Sequence, residues 1–444
     1  LTAKTLSDVA YEARLREHLK ILWWSRGTPQ KQLARALGVN PSQITLRFKG
    51  EVAFRPHEVA ALLDAMGVDH GEFYDGVAGR FHAEVYVARI AMGRKRQKNY
   101  AISDLMAGGP SRPYTADELR TMAEGLQDLR IVDPEAARVH ALDILASAFH
   151  HGIDPGVEGR FEALLALAAV YRSRGSDGTA AAYLLKALHK TNFRGWMKAR
   201  AQVSVVAFAV EQGDFLEAVA AADLAVAKYA VASDRRGHGR ALVSKGSALG
   251  PQGRIVEARG AFREALFLLP EEDWSLRVGA FQGLALCYLL GDEIEKAHMQ
   301  ARNAVEALES GNAPHSFKAE TLWLRGEIAL RSNNSVQGTA DLRRVLEIYL
   351  DDSSNVLYAV LVSLRLASTF LASGNLDELR ELCVQVTPSL VGAAKSDRLL
   401  RDSLNEFAAV ALRGELSSQL LATTYQQVLA AAGPVPRAAY LTER

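Results

Sequence analysis

Residues 28–50 read Thr28-Pro29-Gln30-Lys31-Gln32-Leu33-Ala34-Arg35-Ala36-Leu37-Gly38-Val39-Asn40-Pro41-Ser42-Gln43-Ile44-Thr45-Leu46-Arg47-Phe48-Lys49-Gly50. Their punctuation decides the fold of this end of the chain. Thr28 suits a helix cap and Pro29 a first helical turn, so a helix is predicted through Leu33, Ala34 and Leu37, closed by Gly38. Val39 and Asn40 make the turn. Asn40 then caps a further helix with Pro41 in first position, running to Lys49 and stopped by Gly50.

Helical signals continue on both sides. Upstream, Leu15, Leu19 and Leu22 recur at helical spacing and give a helix with one buried stripe, ended by Gly27. Trp23 and Trp24 face different sides and are expected to brace it. Downstream, Val59, Leu62, Leu63 and Met66 mark a helix that stops at Gly67. Charge is uneven across the unit. Arg14 to Arg55 holds nine basic residues against Glu17 and Glu51, a net of +7. His57 to Gly76 holds five acids and no Lys or Arg. A positive face of this kind suits phosphate binding, because neutralised phosphates release their counterions. A protein-interaction module with an ordinary solvated basic face would carry the same charges.

Residues 28–50 resemble the lambda-repressor/Cro-type helix-turn-helix, through the order and spacing of Gln30, Leu33, Ala34, Gly38, Val39, Ile44 and Gly50. The stretch Pro56 to Val68 resembles that family's closing helix. The resemblance implies that the helix from Pro41 lies in the major groove. Ser42, Gln43, Thr45 and Leu46 would then face base edges, with Gln30, Asn40 and Lys49 near phosphates. Arg47 stands where the family usually has an apolar residue.

After residue 80 the pattern changes. Arg94-Lys95-Arg96-Gln97-Lys98 packs four cations into five residues. Phe81 to Met92 partly alternates, and Tyr100-Ala101-Ile102 could pair back, which gives a β-hairpin wing whose tip (Arg94, Lys95, Arg96) reaches DNA. A degenerate second helix-turn-helix and a solvated charged loop are the other readings. Gly108, Gly109, Pro110 and Pro113 break whatever precedes them.

From residue 116 a rhythm sets in. A small residue precedes an aromatic or apolar one, then comes Gly-Asp or similar, then Ala. The turn positions 175, 213, 253, 291, 333, 374 and 414 lie 38 to 42 residues apart. Such spacing fits helix pairs stacked on their neighbours, with small residues at close approaches and an aromatic filling the gap to the next pair. About seven pairs are visible, and Ala123 to Phe149 adds a leading one. The pattern resembles the tetratricopeptide (TPR) family, most closely at Leu242 to Pro270, although that family's repeat is about 34 residues. A concave groove is implied by the resemblance. Mapping its lining onto this chain gives Arg172, Arg200, Arg240, Ser247, Gln282, Glu320, Trp323, Glu327 and Arg401, a mixture suited to a peptide.

Composition sets the outer limits. The chain has 444 residues, enough for about three domains or one small domain and a solenoid. Its net charge is +1 and 49% of residues are hydrophobic, so wholesale disorder is excluded. Cys287 and Cys383 are the two cysteines, too few for a disulfide scaffold or a Cys-based zinc site. They read as core residues and suit a cytoplasmic location. The longest apolar run, Ala163 to Tyr171, falls well short of a membrane span of about 20 residues. Leu1 to Lys4 carry no apolar signal core, which argues against secretion. No phosphate loop, His-Glu-x-x-His or nucleophile elbow is present. Adjacent His150 and His151 point apart on a helix and cannot chelate one metal together.

The sequence therefore predicts an all-α chain. Residues 1–80 form a helix-turn-helix domain, 81–115 a connector, 116–433 a TPR-like α-solenoid and 434–444 a tail. No enzyme activity, metal or cofactor is expected. The head-and-repeats pairing resembles bacterial peptide-responsive transcription regulators. That implies a cytoplasmic, homodimeric regulator binding double-stranded DNA and a peptide or protein effector. The alternative is a TPR scaffold whose main role is protein–protein interaction.

Overall fold

Every regular element among the described residues is helical, as the apolar spacing predicts. The computed structural model describes residues 6–78, 82–93, 114–150, 153–174, 176–190, 195–309, 313–351, 356–393 and 417–431. The chain divides into two compact units, Leu1–Ala248 and Leu249–Arg444.

The first unit opens with α1 (Leu6–Arg26), α2 (Gln30–Leu37), α3 (Pro41–Lys49), α4 (Pro56–Met66) and α5 (His70–Val77). Leu19, Leu22, Leu33, Ile44, Leu62, Leu63 and Phe73 are wholly buried and make their common core. The predicted stops hold: Gly27, Gly38, Gly50 and Gly67 all take left-handed backbone. Helix α5 lies in the acidic stretch and begins where the Asp69 carboxylate accepts the Glu72 amide at 2.9 Å. It had no strong apolar period to announce it.

The β-hairpin wing is overturned in its first arm. Ala83–Gly93 is a helix, α6. Val85, Val87 and Ala88 are buried together, so the apparent alternation is one side of a helix sampled over a short window. The same segment in the second helix-turn-helix reading is helical but packs against α1. The cationic run Arg94-Lys95-Arg96-Gln97-Lys98 lies outside the described residues, as do the Gly108–Pro113 breakers, the last turn at 414 and the tail.

Helical hairpins complete the first unit. Helix α7 (Ala116–Val132) pairs with α8 (Pro134–His150), α9 (Gly156–Ser173) with α10 (Asp177–Lys190), and α11 (Gly195–Gln212) with α12 (Phe215–Val231), followed by α13 (Arg235–Leu249). The α7–α8 pair is the leading repeat expected near Ala123. Thr115 caps α7 reciprocally with Glu118. Helix α9 packs on both helices of the preceding pair, and α10 packs on α6 of the head.

The second unit holds a short 3-10 turn, Gly250–Gln252, and α14 (Ile255–Leu268), α15 (Trp274–Leu290), α16 (Ile294–Glu309), α17 (His315–Arg331), α18 (Ser335–Asp351), α19 (Val356–Ser373), α20 (Leu376–Ala393) and α21 (Ser418–Ala431). Each helix from α14 to α19 packs on its successor, and α19 also meets α21. Gly283 shows why small residues recur. A Cβ there would lie 2.2 Å from the Phe262 ring, so the aromatic of one pair fills the space the glycine of the next leaves open.

The inter-helix turns use one backbone device on a period of about 40 residues. Gly213, Gly253, Asp292, Asn333 and Gly374 all have φ between 58° and 78°. Where glycine is absent, Asp or Asn takes the left-handed position, since a short polar side chain tolerates it best. At the fourth turn it is Asp292, one place after the predicted Gly291, that takes this conformation. Cys287 and Cys383 are buried, as core residues should be.

Candidate nucleic-acid interface

The turn between α2 and α3 builds the site. Pro41 sits in the first turn of α3, and the Gly38 and Val39 amides cap the end of α2. Ile44 anchors α3 from beneath. Its opposite face is open: Asn40, Ser42, Thr45 and Lys49 are exposed, Gln43 and Leu46 half-buried. The Gln30 side-chain amide donates to Thr45 Oγ1 at 2.9 Å and to the Pro41 carbonyl at 2.6 Å, tying the start of α2 to α3. Thus Gln30, Asn40, Ser42, Thr45 and Lys49 come together on one surface. The Gln43 side chain is partly engaged, accepting from Arg47 Nη1 at 3.3 Å.

Arg47 explains how α3 keeps this facing without the apolar residue the family pattern has there. Its guanidinium is turned inward and donates through Nη2 to Glu58 of α4 at 2.8 Å and through Nε at 3.3 Å. The Arg55 amide donates to the same carboxylate at 2.9 Å. The Arg47 bonds, and then the Arg55 amide, hold the Glu58 carboxyl below its usual range against the opposing effect of burial. The far end of α3 is fixed by aromatics. Trp23 stacks on Phe48 at 4.8 Å, and Phe48 meets Phe54 edge-on at 5.3 Å. Trp23 therefore does brace the unit, and its indole N–H donates to the Thr28 carbonyl.

The positive face is narrower than the residue count implies. Arg47 is buried with Glu58, and Arg26 is turned to Glu84 of α6. Lys20, Lys31, Arg35, Lys49 and Arg55 remain exposed. Arg16 lies over Gly50, where a Cβ would sit 2.3 Å from its Nη1.

Glu84 marks a joint between head and hairpins inside the first unit. Arg26 donates to it at 2.7 and 2.9 Å and Ser25 at 2.8 Å, while His189 Nε2 of α10 lies 3.1 Å away. Burial would push the Glu84 carboxyl up, but the bonds from His189 and Arg26 hold it down at about 2. Around this node the Tyr86 hydroxyl donates to Asp214 at 2.6 Å, and Lys198 and Lys228 approach Glu72 at 3.3 and 3.5 Å. His82 beside it is buried, and desolvation pushes its imidazole below the usual value. Sequence reading singled out none of these residues. A buried acid at the start of a mostly apolar helix was the one available signal.

The expected groove residues divide. In the first unit Arg172 pairs with Glu211 at 2.8 Å, Arg200 with Glu162 at 3.0 Å, and Arg240 is half-buried nearby on α13. In the second, Gln282 donates to Thr321 at 2.9 Å, while Ser247 of the first and Glu320 of the second are half-buried and exposed respectively. Two expectations need correction. Trp323 is wholly buried, edge-on to Tyr349, and offers a ligand no surface. Glu327 is equally buried and holds Arg365 at 2.9 Å. Mapping by repeat register placed both one helix face too far out. Arg401 lies outside the described residues.

Residues 25–73 match the helix-turn-helix family. They span α2 to α4 with the end of α1 and the start of α5, so the α3 surface belongs to a helix-turn-helix domain. Anaphase-promoting complex subunit 7 of Homo sapiens and of Mus musculus each share 35% identity with this chain over 91 residues, which is 20% of this chain and 14% of theirs. Among solved structures, Pseudomonas aeruginosa pilF is similar at 18% identity and a TM-score of 0.35, over 54% of this chain and 96% of that one. The Rap conjugation gene regulator of plasmid pLS20, solved in complex with the Phr* peptide, is similar at 12% identity and a TM-score of 0.42, over 73% and 100%. The protein carries an N-terminal helix-turn-helix domain followed by a solenoid of helical hairpins. Among the described residues no three His, Cys, Asp or Glu are grouped to hold a metal, and no helix is long and apolar enough to cross a membrane.

Proposed function

We propose that the chain is a sequence-specific DNA-binding transcription regulator of the Cro-type, with α3 as its reading helix. One observation carries this reading: the outward face of α3, bearing Asn40, Ser42, Thr45 and Lys49, is exposed. Ser42 and Thr45 have the hydrogen-bonding groups to read base edges, while Lys49, Asn40 and the exposed Lys31 and Arg35 are placed for phosphates. The Arg94-Lys95-Arg96 run would add phosphate contacts.

The hairpins are the regulatory half of this proposal. A peptide or protein effector bound to their polar inner helices would shift them relative to one another. The Glu84 joint would pass that shift to the head. In a homodimer in the cytoplasm, the two heads must match half-sites about 34 Å apart, so a small change at the joint alters operator affinity. The domain extents 1–80, 81–115 and 116–433 belong to the same proposal.

Fluorescence anisotropy with a library of labelled genomic duplexes tests it. Ser42→Ala with Thr45→Ala should flatten sequence preference, and Lys49→Ala should weaken all duplexes alike. No duplex bound even at low ionic strength would refute the reading and leave the adaptor role in its place.

A further inference from the structure

Helix α12 (Phe215–Val231) turns an apolar stripe outward. Leu216 is 75% exposed, Leu224 38% and Val231 89%. Ala220, half-buried, and Ala227, exposed, lie between them. At 3.6 residues per turn these five fall within about 80° of one helix face, over about four turns. Asp223 borders the stripe on one side and is paired with Lys245 of α13 at 2.7 Å; Glu217 borders it on the other. Single apolar side chains are scattered over any monomer, but a continuous row of them marks a contact surface. The matching helix of the preceding pair has a cover: α6 packs on α10, whose Ala181, Leu184, Leu185 and Leu188 are buried. Helix α12 carries the same outer layer one pair further, and its stripe has no such cover among the described residues.

The stripe reads the same in both directions. Leu216 and Val231 are equidistant from the midpoint between Asp223 and Leu224, and so are Ala220 and Ala227. Each pair also sits at equal angles either side of one common direction. A patch with this symmetry is complementary to its own copy about a two-fold axis. We propose that α12 is the seam of a homodimer, packed antiparallel on the α12 of a second copy. Leu216 then meets the partner's Val231, and Ala220 meets the partner's Ala227 where small side chains let the backbones close. Leu224 lies beside the axis. One helix stripe is smaller than the about 800 Å² per partner of a durable complex, so the seam closes at roughly micromolar concentration. Two heads held on one duplex reinforce it. The inference deepens the homodimer of the reading above and rests on it for its purpose. The seam starts two residues after Asp214, which accepts the Tyr86 hydroxyl of α6 at 2.6 Å, so pairing there fixes the spacing of the heads.

Sedimentation velocity on the full chain over a concentration series tests the seam. The parent should show a monomer–dimer equilibrium. Leu224→Glu places a charge beside the axis and should raise the dissociation constant about tenfold or more, with Tm unchanged. Crosslinking by a short bismaleimide reads the register independently, since Cys287 and Cys383 are buried. Leu224→Cys should join to its own copy. Val231→Cys alone should not, because its two copies lie ~22 Å apart along the seam. Adding Leu216→Cys to Val231→Cys should restore the crosslink. A dimer unmoved by Leu224→Glu, or Val231→Cys joining as readily as Leu224→Cys, would overturn the seam and leave a homodimer built elsewhere. A monomer at every concentration, with duplex and without, would overturn both and leave the stripe to a different protein. If the seam behaves as expected and no duplex binds, the seam stands and the regulator reading falls.

Discussion

Two guanidiniums in the first unit make opposite use of the same chemistry. Arg47, on the inner face of α3, meets Glu58 through two of its nitrogens, and the same carboxylate accepts the Arg55 amide. Arg130, on α7, is surrounded chiefly by other arginines and leaves Nε without a partner. The first charge is closed within the fold and fixes the facing of a helix. The second meets chiefly like charge, with Glu162 as the opposing carboxylate. Whether a buried charge is balanced thus decides what holding it costs the fold, and residue type alone does not.

The harshest way to break this contrast is to unbalance the closed pair. Glu58→Ala strands Arg47 in the core and should destabilise the head by about 3–5 kcal/mol in denaturant melts, abolishing duplex binding with it. Arg47→Met with Glu58→Leu removes both charges and should come out close to the parent, which distinguishes loss of balance from loss of packing. The Glu84 joint extends the comparison to pH. Its folded carboxyl titrates at about 2, below the 4.5 expected when unfolded, so it stabilises above pH 4.5 and that support drains away between 4.5 and 2. The effect should be on the order of 3 kcal/mol and should vanish in Glu84→Gln. His82 acts in a higher window. Its imidazole is depressed from 6.5, so its contribution is complete above pH 6.5 and declines as acid protonates the unfolded chain first. Melting curves taken from pH 7.5 down to 2 should show the His82 decline first and the Glu84 decline after it.

A smaller effect concerns the closing turn of α3. Gly50→Ala forces a Cβ into left-handed backbone and against Arg16, and should cost about 1–2 kcal/mol by thermal unfolding. The smallest is Lys49→Ala, an exposed charge with no ion pair among the described residues. Stability should be unchanged, while the slope of log affinity against log salt falls by about one.

Local facing was legible in the sequence, and distant pairing was not. Gly38, Pro41 and Gly50 set the helix-turn-helix boundaries through backbone preferences, and the spaced turns disclosed the hairpins for the same reason. The Arg26–Glu84–His189 node joins positions 58 and 105 residues apart, and no periodicity connects them. Arg47 looked like a departure because its compensating acid lies on another helix. Trp323 and Glu327 were misplaced because a repeat register fixes which turn a residue occupies but leaves its rotation loose by one position. Phe81 to Met92 misled through its brevity: over so few residues, periods of 2 and 3.6 share several positions.

The enclosed Arg47–Glu58 bond also constrains how this protein can drift. Losing either partner alone passes through a poorly folded intermediate, whereas exchanging both for aliphatic residues does not. Descendants should therefore carry the two together or neither, and a survey of kindred chains would find these positions changing in step.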